Sequence, residues 1–177
     1  MGELRLAHTS ELGAATLDAA HSLLREVFDG GFSDDDWEHS LGGIHALVWD
    51  EGELIGHGAV VQRRLLYGGR ALRTGYVEGV GVRADRRRHG YASAMMTGLE
   101  QVIRDAYDLG ALSATEDSAP VYAARGWYRW TGPSYALTPD GIIPTPSDDG
   151  GIYVLPLHVP IELNEALTCD WRDGDLW

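Results

Sequence analysis

The chain has 177 residues, 44% of them hydrophobic and 23% charged, the make-up of a single globular domain with a substantial core. Its formal net charge of −13 excludes a nucleic-acid duplex as partner and leaves two readings, a cationic ligand or a merely solvated surface. No run approaches the roughly 18 apolar residues of a membrane span, the first eight residues lack a basic-then-apolar leader pattern, and the lone Cys169 excludes an intrachain disulfide or thiolate zinc cluster, so a cytosolic setting is expected.

Residues 3–8 alternate Leu4 and Leu6 with polar neighbours and are expected to form a short strand. Residues 12–28 carry Leu17, Ala20, Leu24 and Phe28 at helical spacing, until Gly30 and Gly31 break the run. Ser33 then opens a second helix, with Asp34, Asp35 and Asp36 in its first turn. Residues 44–49 and 54–67 read as strands joined at Asp50, Glu51 and Gly52. A hairpin turn at Gly68 and Gly69 leads into a long strand ending near Arg83. Residues 92–107 place Met95, Met96, Leu99, Val102 and Ile103 on one helical face. A short strand over 110–114, a short helix over 118–124 and strands over 127–137 and 152–157 follow, with 138–151 as a loop. The tail from Cys169 to Trp177 is acidic and aromatic, with no clear period. The order β-α-α-β-β-β-α-β-α-β-β is an α/β arrangement about a mixed sheet, in one domain spanning residues 1–177.

The most informative stretch is RADRRRHGYA, residues 83–92, between a glycine-interrupted strand and a helix. A helix N-terminus offers backbone N–H groups and positive dipole to an anion. A basic turn there, in so acidic a chain, suggests the pyrophosphate of a nucleotide-like cofactor, against the alternative of an ordinary solvated turn. Arg87 to Ala92 fit R-x-x-G-x-A, and no G-x-x-x-x-G-K-[ST] is present. Gly79 and Gly81 mark a bulge or a close approach of a ligand. Glu78, a carboxylate inside a run of Tyr, Val and Gly, is either paired at the strand edge or facing a cleft.

This strand, turn and helix resemble the acetyl-coenzyme A signature of the GCN5-related N-acetyltransferases (GNAT). More narrowly, DWEH (36–39), GYVEGV (75–80), YAARGW (122–127) and the tail from Cys169 to Trp177 are similar to aminoglycoside 2'-N-acetyltransferases, mycobacterial members above all. The likeness runs from Leu4 to Trp177. It implies the GNAT fold, a mixed, largely antiparallel sheet flanked by helices, with acetyl-CoA as co-substrate and a homodimeric state. It implies that the Val80 N–H stabilises the oxyanion formed on the thioester. Backbone groups of Val80, Gly81 and Val82 would pair with the pantetheine arm, and Arg87, Arg88, His89, Gly90, Tyr91 and Ala92 would hold the pyrophosphate. It also implies Glu78 as general base, directly or through water, and Tyr122 as proton donor to the leaving thiolate; packing is the alternative for Tyr122. Glu78 and Gly79 would also contact the acceptor, as would Ser113, whose alternative is a turn or cap.

Acids cluster at 34–36, at 148–149, and at Asp170, Asp173, Asp175 and the terminal carboxylate. Each close contact to an ammonium is worth about 1 kcal/mol in water-like surroundings and about 4 at an effective dielectric near 20, before desolvation. The resemblance implies Asp36, Asp148, Asp175 and the carboxylate of Trp177 as acceptor contacts; dipole capping is the alternative for the first cluster. In one departure, Gly31 occupies a position that is acidic in the mycobacterial enzymes, and whether Asp29 replaces it stays open. The seven histidines show no ligand spacing, so no metal site is expected. The expected activity is acetylation of an aminoglycoside 2'-amine, conferring resistance. A cell-wall amino sugar or polyamine as acceptor, or a non-catalytic coenzyme A-binding regulator, are the competing readings.

Overall fold

The computed structural model describes residues 2–177. They divide into two compact units, one comprising the chain up to Val61 with Val77–Val102, the other Gln62–Tyr76 with Ile103–Trp177.

The first unit contains β1 (Glu3–His8), α1 (Ala14–Val27), α2 (Asp34–His39), β2 (Ile44–Asp50), the start of β3 (Glu53–Tyr67), the end of β4 (Arg70–Val82) and most of α3 (Tyr91–Ala106). β2 pairs antiparallel with β1, Leu6 opposite Ala46, and with β3, Leu47 opposite His57. The turn between β2 and β3 uses left-handed backbone at Glu51 and Gly52, as the Asp-Glu-Gly sequence predicts. α1 buries Ala20, Leu23 and Leu24; Ala20 and Leu23 form a cluster with Leu47 and Leu54, against which Trp37 and Trp49 pack. α1 starts two residues later than its periodicity predicts, because 9–11 form a separate 3-10 turn closed by the Glu11 carboxylate on the His8 N–H at 2.8 Å. α3 lies close to β3 because that strand presents glycines: a Cβ on Gly56 would stand 3.3 Å from the Met95 sulfur, and one on Gly58 3.2 Å from Leu99.

In the second unit, the start of β4 pairs parallel with β5 (Leu109–Ser113), Tyr76 opposite Ala111. β5 pairs antiparallel with β9 (Ile152–Pro156), which also pairs with β6 (Tyr128–Arg129). β7 (Ser134–Thr138) forms a hairpin with β8 (Gly141–Pro144) and runs parallel to β10 (Leu167–Cys169). α4 (Ala119–Ala123) follows a 3-10 turn at Glu116–Ser118. Trp130 is fully buried, and its indole N–H donates to the Glu165 carbonyl at 3.0 Å.

The α/β class and the largely antiparallel mixed sheet agree with expectation. Three details do not. The strand expected over 127–137 is two strands, broken where the Thr131 and Gly132 amides turn aside to the Leu163 carbonyl. The expected loop 138–151 contains β8, and the irregular tail is preceded by β10, whose Thr168 pairs with Leu66.

Candidate active site

β4 is the spine of the candidate cofactor region. Its ladder to β5 covers Thr74 to Tyr76, so Glu78 to Val82 lie beyond that pairing. There Gly79 takes a left-handed φ of +54°, unusual within a strand and open to a residue without a Cβ. A Cβ on Gly79 would stand a tight 3.1 Å from both Leu24 Cδ1 and Ser40 Oγ, and its φ favours glycine. Glu78 and Val80 are half-buried, Gly81 and Val82 buried. Gly81 is fixed by close packing on α1, where a Cβ would meet Val27 at 2.9 Å.

The basic turn sorts its arginines into two groups. Arg83 is held by Asp85 and Glu53, both at 2.7 Å, and Arg86 by Asp85 at 3.0 Å and Asp50 at 3.4 Å. These two guanidinium groups are paired within the chain and stand outside the residues 87–92 expected to meet the diphosphate. Arg87 is exposed and donates to the Val82 carbonyl at 3.2 Å; Arg88 and His89 are exposed. Arg88 (φ +66°) and Gly90 (φ +81°) bend the chain so that the Gly90 carbonyl accepts the Ala94 N–H and starts α3. The first N–H groups of α3, at Tyr91 and Ala92, thus end a turn flanked by exposed guanidinium groups. That combination fits a diphosphate.

Asp36, in the same unit, carries its alternative role in plain view. Its Oδ2 accepts the Ser33 N–H at 2.7 Å and the Ser33 hydroxyl at 2.8 Å, a capping box on α2. Oδ1 is the oxygen left for a ligand. Asp29 is exposed at φ +51° in the turn that ends α1.

The second unit carries the remaining predicted residues. Ser113 is exposed at the end of β5. Tyr122 packs its ring edge-on to Trp127 and tilted to Tyr153, both at 6.1 Å between centroids. Burial pushes its phenol above the usual value, with Arg125 opposing. Asp148 and Asp149 diverge. Asp149 accepts the Ser134 N–H at 2.9 Å and the Ser134 hydroxyl at 2.8 Å, and so is structural. Asp148 is half-buried; burial holds its carboxyl above the usual range, the Ser147 hydrogen bond opposes this, and the neighbouring Asp175 and Asp149 charges add to it. Asp170 leaves the acceptor cluster, because Arg63 Nε binds it at 2.7 Å and the Arg64 N–H at 3.0 Å. Asp175 is exposed, and Trp177 buries its ring with the indole N–H on Thr145 Oγ1 at 2.9 Å. Among the described residues no three His, Cys, Asp or Glu side chains are grouped to hold a metal.

Sequence reasoning missed two buried histidines. His45 and His57 face each other across β2 and β3, with Nδ1 of one 2.9 Å from Nε2 of the other, and His57 Nδ1 lies 2.8 Å from the Gly79 carbonyl. The available signal was an imidazole at a core-facing position of each apolar strand.

Residues 8–129 match the family described as Acetyltransferase (GNAT) domain. An aminoglycoside 2'-N-acetyltransferase from Mycolicibacterium fortuitum is 52% identical, covering 98% of this chain and 91% of the relative. Among solved structures, the GNAT family N-acetyltransferase YhbS from Escherichia coli, in complex with CoA, superposes with a TM-score of 0.64 at 15% identity, over 95% of this chain and 89% of that one. Escherichia coli ElaA gives 0.62 at 19% identity, over 87% and 99%. Eis1 from Mycobacterium abscessus gives 0.61 at 21%, over 76% of this chain and 33% of its own. These three likenesses speak for the fold. The family match and the identity to the Mycolicibacterium fortuitum relative go further: the chain belongs to the GNAT acetyltransferases and is an enzyme of acetyl transfer.

Proposed function

We propose that this enzyme acetylates the 2'-amine of aminoglycosides from acetyl-CoA by direct attack, and so confers resistance. The observation that carries the substrate is the 52% identity, over nearly the whole chain, to a protein of that activity. The acids support it: burial, and after it the nearby Asp175 charge, disfavour an unpaired Asp148 carboxylate, and an ammonium group would relieve both.

Acetyl-CoA would be held by its diphosphate at Arg87, Arg88, His89, Gly90, Tyr91 and Ala92, and by its pantetheine arm on the backbone of Val80, Gly81 and Val82. The acceptor would be held by Asp36 Oδ1, Gly79, Ser113, Asp148, Asp175 and Trp177. An ammonium has no lone pair for attack, so Glu78 accepts its proton, directly or through water. The amine nitrogen then bonds to the thioester carbon, and the carbonyl oxygen becomes an oxyanion received by the Val80 N–H. Collapse breaks the carbon–sulfur bond; the Tyr122 hydroxyl protonates the departing thiolate, and the second proton shed by the attacking nitrogen, passed through water, restores the phenol. A phenol raised above its usual value stays protonated at neutral pH, which suits a donor.

We assign the enzyme to the cytoplasm, where acetyl-CoA is made; no helix among the described residues is long and apolar enough to cross a membrane. A homodimer is proposed as well, supported by Leu137 and Ile142, which face each other in register on the β7–β8 hairpin and are both exposed.

Thiol release from acetyl-CoA tests the reading. Gentamicin and tobramycin, which carry a 2'-amine, should react, whereas kanamycin A, with a 2'-hydroxyl, should not. Equal rates would remove the regiochemistry. Glu78→Gln should lower kcat far more than it raises the acceptor KM, and an unchanged kcat would remove Glu78 as base.

A further inference from the structure

A directed chain of hydrogen bonds ends at Gly79 in β4. Its direction follows from its last member: the Gly79 carbonyl only accepts, so His57 Nδ1, 2.8 Å away, carries a proton. A neutral imidazole has one N–H, so His57 Nε2 accepts, and His45 Nδ1 donates to it at 2.9 Å. His45 Nε2 is then the acceptor for the Thr9 hydroxyl at 2.8 Å, and Thr9 Oγ1 accepts the Gly42 N–H at 2.9 Å. Burial keeps both rings neutral, lowering His45 to about 4 and His57 to about 3. Trp37 lies against both rings, 6.3 Å and 5.8 Å away between centroids.

Two buried imidazoles are a costly way to fill a core that a Phe or Met could fill, unless their bonds are needed. The chain grips one peptide plane. In a trans peptide the carbonyl and the next N–H are coplanar and point opposite ways, and the Gly79–Val80 peptide is trans. Holding the Gly79 oxygen therefore sets the direction of the Val80 N–H. The grip matters because Gly79, at φ +54° and without a side chain, is the point where this plane could turn over most cheaply. Serial donation also polarises each link in the same sense, so the Gly79 carbonyl is drawn toward His57 and its amide N–H becomes a stronger donor.

We propose that His57, backed by His45 and Thr9, is a positioning residue that holds the Gly79 carbonyl and thereby aims the Val80 N–H at the thioester oxygen. The proposal rests on the reading that this N–H receives that oxygen during acetyl transfer.

Three replacements separate aim from packing. His57→Phe keeps a ring and removes the donor. His57→Asn places an amide N–H where Nδ1 stood and keeps the bond to Gly79. His57→Gln reaches instead toward His45 and lets Gly79 go. In thiol-release kinetics with tobramycin, Phe and Gln should lower kcat by on the order of ten- to a hundredfold, a fraction of what losing an oxyanion donor costs. The acetyl-CoA KM should stay within about threefold, as for an interaction made mainly in the transition state. Asn should recover most of kcat. The Val80 amide signal in 1H–15N spectra should shift for Phe and Gln and return for Asn. Equal losses for Asn and Gln, or an unmoved Val80 signal in Gln, would overturn the proposal, and this pair decides even if Phe does not fold. Should the wild type turn over no amine, the functional reading fails, and the Val80 signal alone then judges the grip on the peptide.

Discussion

Trp177 and Thr145 meet through a single bond, indole N–H to Oγ1 at 2.9 Å, and that hydroxyl is the hub of a buried polar cluster. Ser134 Oγ lies 2.7 Å from it and also donates to Asp149, so the aromatic side chain of the tail and the Asp148–Asp149 turn share one anchor. Thr145→Val keeps the shape and removes the hub. Leaving buried donors short of partners should cost about 1–3 kcal/mol, read by urea unfolding. The acceptor KM should rise as well, because Asp148 sits on the loosened turn.

Adjacent acids should respond oppositely. Asp148→Asn removes a charge with little internal bonding and should weaken aminoglycoside binding by between roughly fivefold and nearly a thousandfold, the gross range spanned by one ion pair from water-like to partly buried surroundings. Asp149→Asn should instead lower stability, because both Ser134 donors lose their charged acceptor. Calorimetric binding paired with thermal melts checks both, and a similar loss of affinity in the two variants would contradict the division.

The arginines should divide in the same manner. Arg88→Ala should raise the acetyl-CoA KM several-fold and flatten its salt dependence, since an exposed guanidinium near a diphosphate acts through screened attraction. Arg83→Ala should leave that KM unchanged, because its charge is already met by Asp85 and Glu53.

Acid should destabilise the fold through the histidine pair. Both imidazoles titrate near 6.5 when unfolded, but near 4 for His45 and near 3 for His57 in the fold. Between those values the unfolded chain binds more protons, so stability rises with pH. The neutral pair's contribution is complete above about 6.5 and falls away as pH drops toward 4 and then 3. Asp148, with its carboxyl raised, works in the opposite sense just above 3.8, where acid slightly favours the fold. Melting temperature against pH should therefore decline from 6.5 to 4.5, and His57→Asn should make that decline shallower. An equal slope in the variant would contradict the assignment.

What the sequence disclosed was what neighbouring residues decide. The Ser33 cap with Asp36, the left-handed turns at Gly52 and Gly68, the left-handed glycine at 79 and the helix start at Gly90 are each settled within a few positions. What stayed hidden depends on partners far along the chain. Arg63 takes Asp170 out of the acid cluster across 107 positions, and β10 is three residues long, given shape by Leu66 and by β7. The break at Thr131 and Gly132 is set by the distant Leu163 carbonyl, although the Gly132-Pro133 pair was a local hint. The histidine pair needed the β2–β3 register: Leu47 opposite His57 makes His45 and His57 diagonal neighbours on one face.

The left-handed φ at Gly79 has a consequence for how such an enzyme drifts. The Val80 N–H is main chain, and no codon change to another residue except proline deletes it. Selection against the enzyme would thus find few single hits at residue 80 itself. Residue 79 combines a left-handed φ with close neighbours on Leu24 and Ser40, so any other residue there is strained and, on the proposed mechanism, disturbs the donor abruptly. On the proposed positioning role, gradual change would be left to the layer behind, at positions 57, 45 and 9, where a substitution would turn the donor by degrees without touching either substrate.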